Sequence, residues 1–208
     1  MLATPNSLTY DHSPWFPRVS AQTAGRDHSL RTRNLFLRPV SIADADEYAE
    51  MFADAEVMRF VGLDQGRVYT HSESKDLVAG AVETWQMRGY GRWSVFESRT
   101  GEFVGFCGFR CEAGKPDLIE VIRQKFWGTG FSVEAAEACL SHGFSRFDFT
   151  EVYSYCRPRN FRARSLMEKL GAEFLGIIDF HGVEGAAYRL LPSCVICPRV
   201  EKPAVTEL

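Results

Sequence analysis

Lys125-Phe126-Trp127-Gly128-Thr129-Gly130-Phe131-Ser132-Val133-Glu134-Ala135 follows the apolar, strand-like run Leu118 to Ile122 and opens directly into an alanine-rich segment. A glycine-bearing turn between a strand and a helix lets several backbone N–H groups converge on an anion, and the helix N-terminus adds a favourable dipole. The stretch therefore predicts a phosphate cradle. It is not a P-loop, because no Gly-Lys-Ser/Thr triplet follows, and it lacks the G-x-G-x-x-G spacing of dinucleotide-binding turns.

The chain on either side reads as mixed α/β. Asn34 to Pro39 has strand character, and Ser41 followed by Asp44 signals a helix start, predicting a helix over Ala43 to Asp54. Leu77, Ala81 and Trp85 recur every fourth residue within Ser72 to Met87, a helix that Arg88-Gly89 ends. Gly91 to Phe96 and Phe103 to Phe109 form two strands around Arg99-Thr100-Gly101-Glu102. Beyond the cradle, Ser132 to about Gly143 is helical, with Ala135, Ala136, Ala138 and Cys139 small enough to let it lie close to a sheet. Glu151 to Cys156 is a strand, and Asn160 starts a helix with Ala163, Leu166, Met167 and Leu170 on one face and Gly171 at its end. Phe174 to Phe180 and Ala186 to Leu190 complete the pattern as strands around His181-Gly182. Residues 1–30 show neither period and read as an extension, with Trp15 and Phe16 as its possible docking points; residues 31–192 form the domain, and 193–208 a tail.

The cradle resembles the acetyl-CoA pyrophosphate loop of the GNAT N-acetyltransferases, in the Trp-Gly-x-Gly-Tyr/Phe-x-x-Glu-Ala form of the ribosomal-protein N-terminal acetyltransferase (RimJ/RimL-like) branch. Arg33 to Pro39, Gly101 to Gly105 and Asn160 to Gly171 match the same family in order and spacing. The resemblance implies a central, mostly antiparallel sheet with splayed middle strands and flanking helices. It implies acetyl-CoA as co-substrate, held by Trp127, Gly128, Thr129, Gly130, Phe131 and Ser132 at the pyrophosphate. Serine at position 132 departs from the usual Gly or Ala, and its hydroxyl can cap the helix or bond a phosphate oxygen. Backbone groups of Val121 and Ile122 would face the pantetheine arm, and an N–H there would polarise the thioester carbonyl. Asn160 has two compatible readings, a helix N-cap and a contact to the cofactor arm.

Relatives often carry a hydroxyl acid at the positions of Ala163 and Met167, and neither residue can protonate a departing thiolate. Ser165 is nearby but turned off that helical face. Asp117 and Glu120 are the candidate general bases, against the alternative of solvated strand-edge carboxylates; Glu112 is less well placed, and His142 and His181 read as surface residues. An α-amino group is roughly 15% neutral at pH 7 and a lysine only about 0.04%, so weak base catalysis favours low-pKa amines. The implied reaction is acetyl transfer to a primary amine, either a protein N-terminus or a small molecule. A non-catalytic acyl-CoA-binding module is the alternative, motivated by Ala163 and Met167.

The composition fits one soluble domain: 208 residues, 45% hydrophobic, 25% charged, net charge −3. A pI near 6.0 provides no global basic field for nucleic acid. No apolar run is long enough to span a bilayer and no secretory leader is visible, so the expected location is cytoplasmic, with no membrane partner. Six cysteines diluted over this length read as free thiols. Cys194-Val195-Ile196-Cys197 is a single C-x-x-C without the further ligands that structural zinc requires, and no metal is expected. A homodimer is compatible with the resemblance, without an interface signature.

Overall fold

A computed structural model describes residues 27–63 and 66–194 of the chain. The expected docking of Trp15 and Phe16, Cys197 of the C-x-x-C, and most of both predicted tails lie outside the described residues.

Eight strands form one sheet: β1 (Leu30–Arg31), β2 (Leu35–Pro39), β3 (Arg92–Glu97), β4 (Phe103–Glu112), β5 (Lys115–Ile122), β6 (Val152–Cys156), β7 (Glu173–Phe180) and β8 (Val183–Leu190). They lie in the order β1-β2-β3-β4-β5-β6-β8-β7. Every neighbouring pair is antiparallel except β5 and β6, which run parallel. The predicted mixed α/β class with a mostly antiparallel sheet is thus observed. The helices are α1 (Ala45–Phe52), α2 (Ala55–Met58), α3 (His71–Arg88), α4 (Phe131–Arg146) and α5 (Phe161–Lys169).

Two hydrophobic clusters cover the two faces of the sheet, which is why central β4 is buried on both sides and loses the period-two signal of a half-exposed strand. One cluster joins Trp93, Phe109 and Leu118 to Ala135, Ala136 and Leu140 of α4. The other joins Phe103, Phe106 and Val121 to Tyr48 and Phe52 of α1 and Val78 of α3. The small residues of α4 act as predicted: a β-carbon at Gly143 would come within 2.9 Å of the Phe109 ring, so the helix sits at the closest distance its backbone allows.

Local signals and boundaries largely agree. The Ser41/Asp44 capping box is present, but it opens a 3₁₀ turn, Ile42–Asp44, and α1 then runs only from Ala45 to Phe52. The predicted continuous helix is shorter because Asp54 caps a new one, α2, through the amides of Glu56 and Val57. Gly89 closes α3 in the left-handed conformation at φ 74°. Residues at the end of the predicted extension join the fold: Leu30 pairs with Leu37, and the His28 carbonyl accepts a 2.7 Å bond from Trp93 Nε1.

Candidate active site

Strands β5 and β6 share one register pair, Asp117 with Tyr153, and then separate. Ser154 Oγ bridges to the Leu118 carbonyl at 3.0 Å just past that point. Beyond it the edge of β5 facing β6 has no strand partner, and a cavity of about 1280 Å³ opens through the split to both faces of the sheet. That volume exceeds the usual range for one small ligand and suits a long cofactor together with a second substrate. The splayed middle strands expected from the resemblance are therefore present.

The predicted cradle stands at the end of β5. After Ile122 the chain makes a 3₁₀ turn, Gln124–Phe126, and enters α4 through Gly128 at φ 81° and Gly130 at φ 91°. Both values lie where a side chain is strained, and a β-carbon at either glycine would meet no protein atom within 4 Å. Open space therefore adjoins both. Gly130 is the N-cap of α4 and has no side chain with which to cap it. Among the described residues, no protein acceptor is bonded to the amides of Gly128, Gly130, Ser132 or Val133, whereas Phe131 N reaches Thr129 Oγ1 and Glu134 N the Gly130 carbonyl. Free amides at the first turn of a 16-residue helix have the geometry that suits an anion.

Several contacts hold this site in place. Trp127 Nε1 donates to the Ile122 carbonyl at 2.9 Å, so that carbonyl is already engaged, whereas the Val121 carbonyl is turned toward Gly105 of β4 and away from the split. The Arg162 guanidinium lies 3.7 Å from the Trp127 ring centroid, clamping the loop to α5. Glu134, in the first turn of α4, accepts from Asn34 N at 2.7 Å and Asn34 Nδ2 at 2.9 Å. Glu134→Ala is expected to lower stability by about 1–2 kcal/mol in a urea titration, since two hydrogen bonds to a charged group are lost at a partly solvated site.

The two candidate carboxylates differ from the solvated alternative, for Asp117 is buried and Glu120, half-buried as a residue, has its carboxyl turned inward. Asp117 is 0% exposed, and Arg110 Nε donates to its Oδ2 at 2.5 Å. Burial pushes its pKa up to about 6 against the pull of Arg110, and Oδ1 is sealed without a partner. Asp117 lies at the apex of the split, outside the cavity wall, whereas Glu120 borders the cavity. Glu120 Oε1 accepts from Ser132 Oγ at 2.7 Å, and its Oε2 is sealed without a partner. Burial raises the Glu120 pKa to about 7, with the Ser132 hydroxyl opposing the shift.

On α5, Asn160 Oδ1 accepts from Ala163 N at 3.2 Å, so the N-cap reading holds, and the residue also borders the cavity. Ala163 and Met167 face the cavity as well; so does Ser165, which the helical-wheel argument had turned away, because the opening is wider than one helix face. His142 is half-buried rather than freely exposed: it packs edge-on against Phe147 and Trp93, with centroids 5.0 and 5.6 Å away, and burial, aided by His28 and Arg146, lowers its pKa to about 4. His181 is exposed and bonds Glu112 at 2.8 Å.

The sequence reading missed Arg92, Arg110 and the Tyr155–Phe180 stack, at 4.6 Å between centroids, all on the cavity wall. Arg92 left a trace, as a charge inside an apolar strand. Arg110 did not, because its pairing with Asp117 is visible only once the β4/β5 register is known. Among the described residues no cluster of His, Cys, Asp or Glu has metal-binding geometry, the cysteines stand as thiols, and no helix is long and apolar enough to cross a membrane.

With this geometry established, likeness to known proteins can be placed. Residues 34–173 match the family described as Acetyltransferase (GNAT) domain. The uncharacterized protein YkkB of Bacillus subtilis is 33% identical over 156 residues, covering 70% of this chain and 85% of its own. An acetyltransferase from Agrobacterium tumefaciens has a TM-score of 0.68 at 24% identity, covering 77% of this chain and 92% of its own. The ribosomal α-N-protein acetyltransferase RimL, solved in complex with coenzyme A, has a TM-score of 0.67 at 17% identity over 77% of this chain and 95% of its own. With residues 34–173 of 208 in the family match and the split sheet and glycine cradle in place, the chain belongs to the GNAT acetyltransferase family and is an acetyl-CoA-dependent acetyltransferase.

Proposed function

We propose that the chain moves an acetyl group from acetyl-CoA to a primary amine by direct attack, without a covalent enzyme intermediate. The observation that carries this reading is the set of unbonded amides at Gly128, Gly130, Ser132 and Val133, opening onto the same cavity as the β5/β6 split. The Trp127 to Ser132 loop would hold the pyrophosphate, the unpaired edge of β5 at Ile122 the pantetheine, with Val121 beside it, and Asn160 the arm near the thioester. When bound, acetyl-CoA supplies an activated acyl thioester. The protein supplies position: a rigid helix terminus at one end, a strand edge along the arm, and a second opening through which the amine enters. Alignment alone removes several kcal/mol from such a barrier.

Proton removal is assigned to Glu120, because it borders the cavity and titrates near neutral pH. Asp117 serves instead to fix Arg110. The RimL likeness supports a protein N-terminus as acceptor, and the width of the cavity admits small amines as well. Calorimetry with CoA, followed by thiol release from acetyl-CoA over an amine panel, tests the reading. Micromolar binding with amine-dependent thiol release is expected; the absence of any heat from CoA would refute it.

A further inference from the structure

Resting on the acetyl-transfer reading, we propose that the acceptor is an amine that carries a carboxylate, and that Arg92 binds it. Arg92 stands in β3 and is 8% exposed. Three other partly buried arginines have carboxylate partners: Arg38 pairs with Asp44, Arg110 with Asp117, and Arg123 with Glu47 and Glu50. Arg92 makes no ion pair among the described residues, although its charge helps to hold down the pKa of Asp117, which Arg110 already engages. Its guanidinium lies 5.1 Å from the centroid of the Phe106 ring, and a ring face stabilises a buried cation less than a carboxylate does. No side-chain nitrogen of Arg92 is among the sealed, unbonded atoms, and the residue lines the cavity. Its donors therefore face open space within the site.

Register places that space beside the reacting strand. Phe106 is opposite Val121 of β5 and Ser94 of β3, so the cation above Phe106 sits on the α1/α3 face, over the strand that neighbours β5. The α4 face carries the cradle and Glu120, which leaves this opposite face for the acceptor's carboxylate, its amine reaching into the split between the two. Arg157 also borders it, donating to the carbonyls of Leu63 at 2.9 Å and Gly62 at 3.3 Å, with no carboxylate partner among the described residues. Of the acids on or beside this part of the wall, Asp117 is engaged by Arg110, Glu112 by His181 and Glu56 by Arg59, while Glu184 stands at the exposed margin of the cavity.

A simple cationic amine would be repelled from this half of the cavity. A carboxylate a few bonds from the amine reverses the balance: it supplies the missing counter-ion, meets the planar guanidinium in two parallel hydrogen bonds, and leaves the amine in a positive field that favours its neutral, nucleophilic form. The same chemistry occurs in a free amino acid and in an acidic residue at the start of a peptide.

Paired acceptors separate these sources. Alanine is compared with alaninamide, and a peptide beginning with aspartate with one beginning with asparagine, by kcat/KM for thiol release from acetyl-CoA. At least one pair is expected to favour the carboxylate by about tenfold or more, and that pair identifies the source. In Arg92→Gln the ratio should fall to within about twofold, and Arg92→Lys should keep part of it; CoA calorimetry on both variants verifies that they fold. On CoA-saturated protein, the preferred carboxylate should give binding heat and its amide little. Turnover without preference, preference that survives in Arg92→Gln, or neither turnover nor heat from any carboxylate would each overturn the proposal. CoA heat in those same samples would leave the acetyl-CoA reading standing.

Discussion

Gly130→Val is expected to weaken CoA binding by roughly 100-fold or more while leaving a folded protein. Two effects must be kept apart. Gly130 has a φ of 91°, and a β-branched residue there costs about 1–3 kcal/mol in backbone strain, which a denaturant titration would read as a modest loss of stability. The larger effect is on the ligand. No protein atom lies within 4 Å of the added β-carbon, so the valine takes space only from whatever occupies the cradle, and relief of strain would rotate the amides of Gly130 and its neighbours out of convergence. Two charge-assisted hydrogen bonds at about 1.5–3 kcal/mol each account for a loss of that size. Isothermal calorimetry on variant and parent, at matched folded fraction, decides it. Affinity within threefold of the parent would remove the cradle from the binding site.

How far the sequence discloses this site depends on the range of the interaction that creates each part. The cradle is local: two glycines between a strand and a helix specify left-handed turns and free amides without any tertiary information, and both appear where the spacing put them. The same holds for the Asn160 cap and for Gly171, which closes α5 at φ 69°. The carboxylates were visible as residues but not as environments. Asp117 and Glu120 look like strand-edge acids until the sheet gains helices on both faces, after which burial raises both pKa values. Arg92 depends on register and on the depth of the cavity. No pattern within one strand says that a charge has no counter-ion.

Glu120→Gln should stabilise the protein at pH 8, by up to about 3 kcal/mol, and change little near pH 4. The buried carboxyl has a pKa of about 7, whereas in the unfolded chain it titrates near 4.5. Between those values the folded state holds a proton that the unfolded state has released, so stability falls as pH rises through this window and the full penalty is present above pH 7. A displacement of this size corresponds to about 3 kcal/mol, an upper figure because the first turn of α4 lies beside the carboxyl and favours its anion. The amide isostere keeps an oxygen for the 2.7 Å bond from Ser132 and has no charge to desolvate. Its advantage should therefore grow between pH 4.5 and 7 and then level off, as read from urea midpoints across pH. The same variant separates a base from a passive buried acid. If Glu120 accepts the amine proton, log kcat/KM of the parent rises through a pKa near 7, and in Glu120→Gln that limb disappears as the rate falls. An unchanged limb in a stabilised variant would leave Glu120 a structural acid and assign proton removal to another group on the cavity wall.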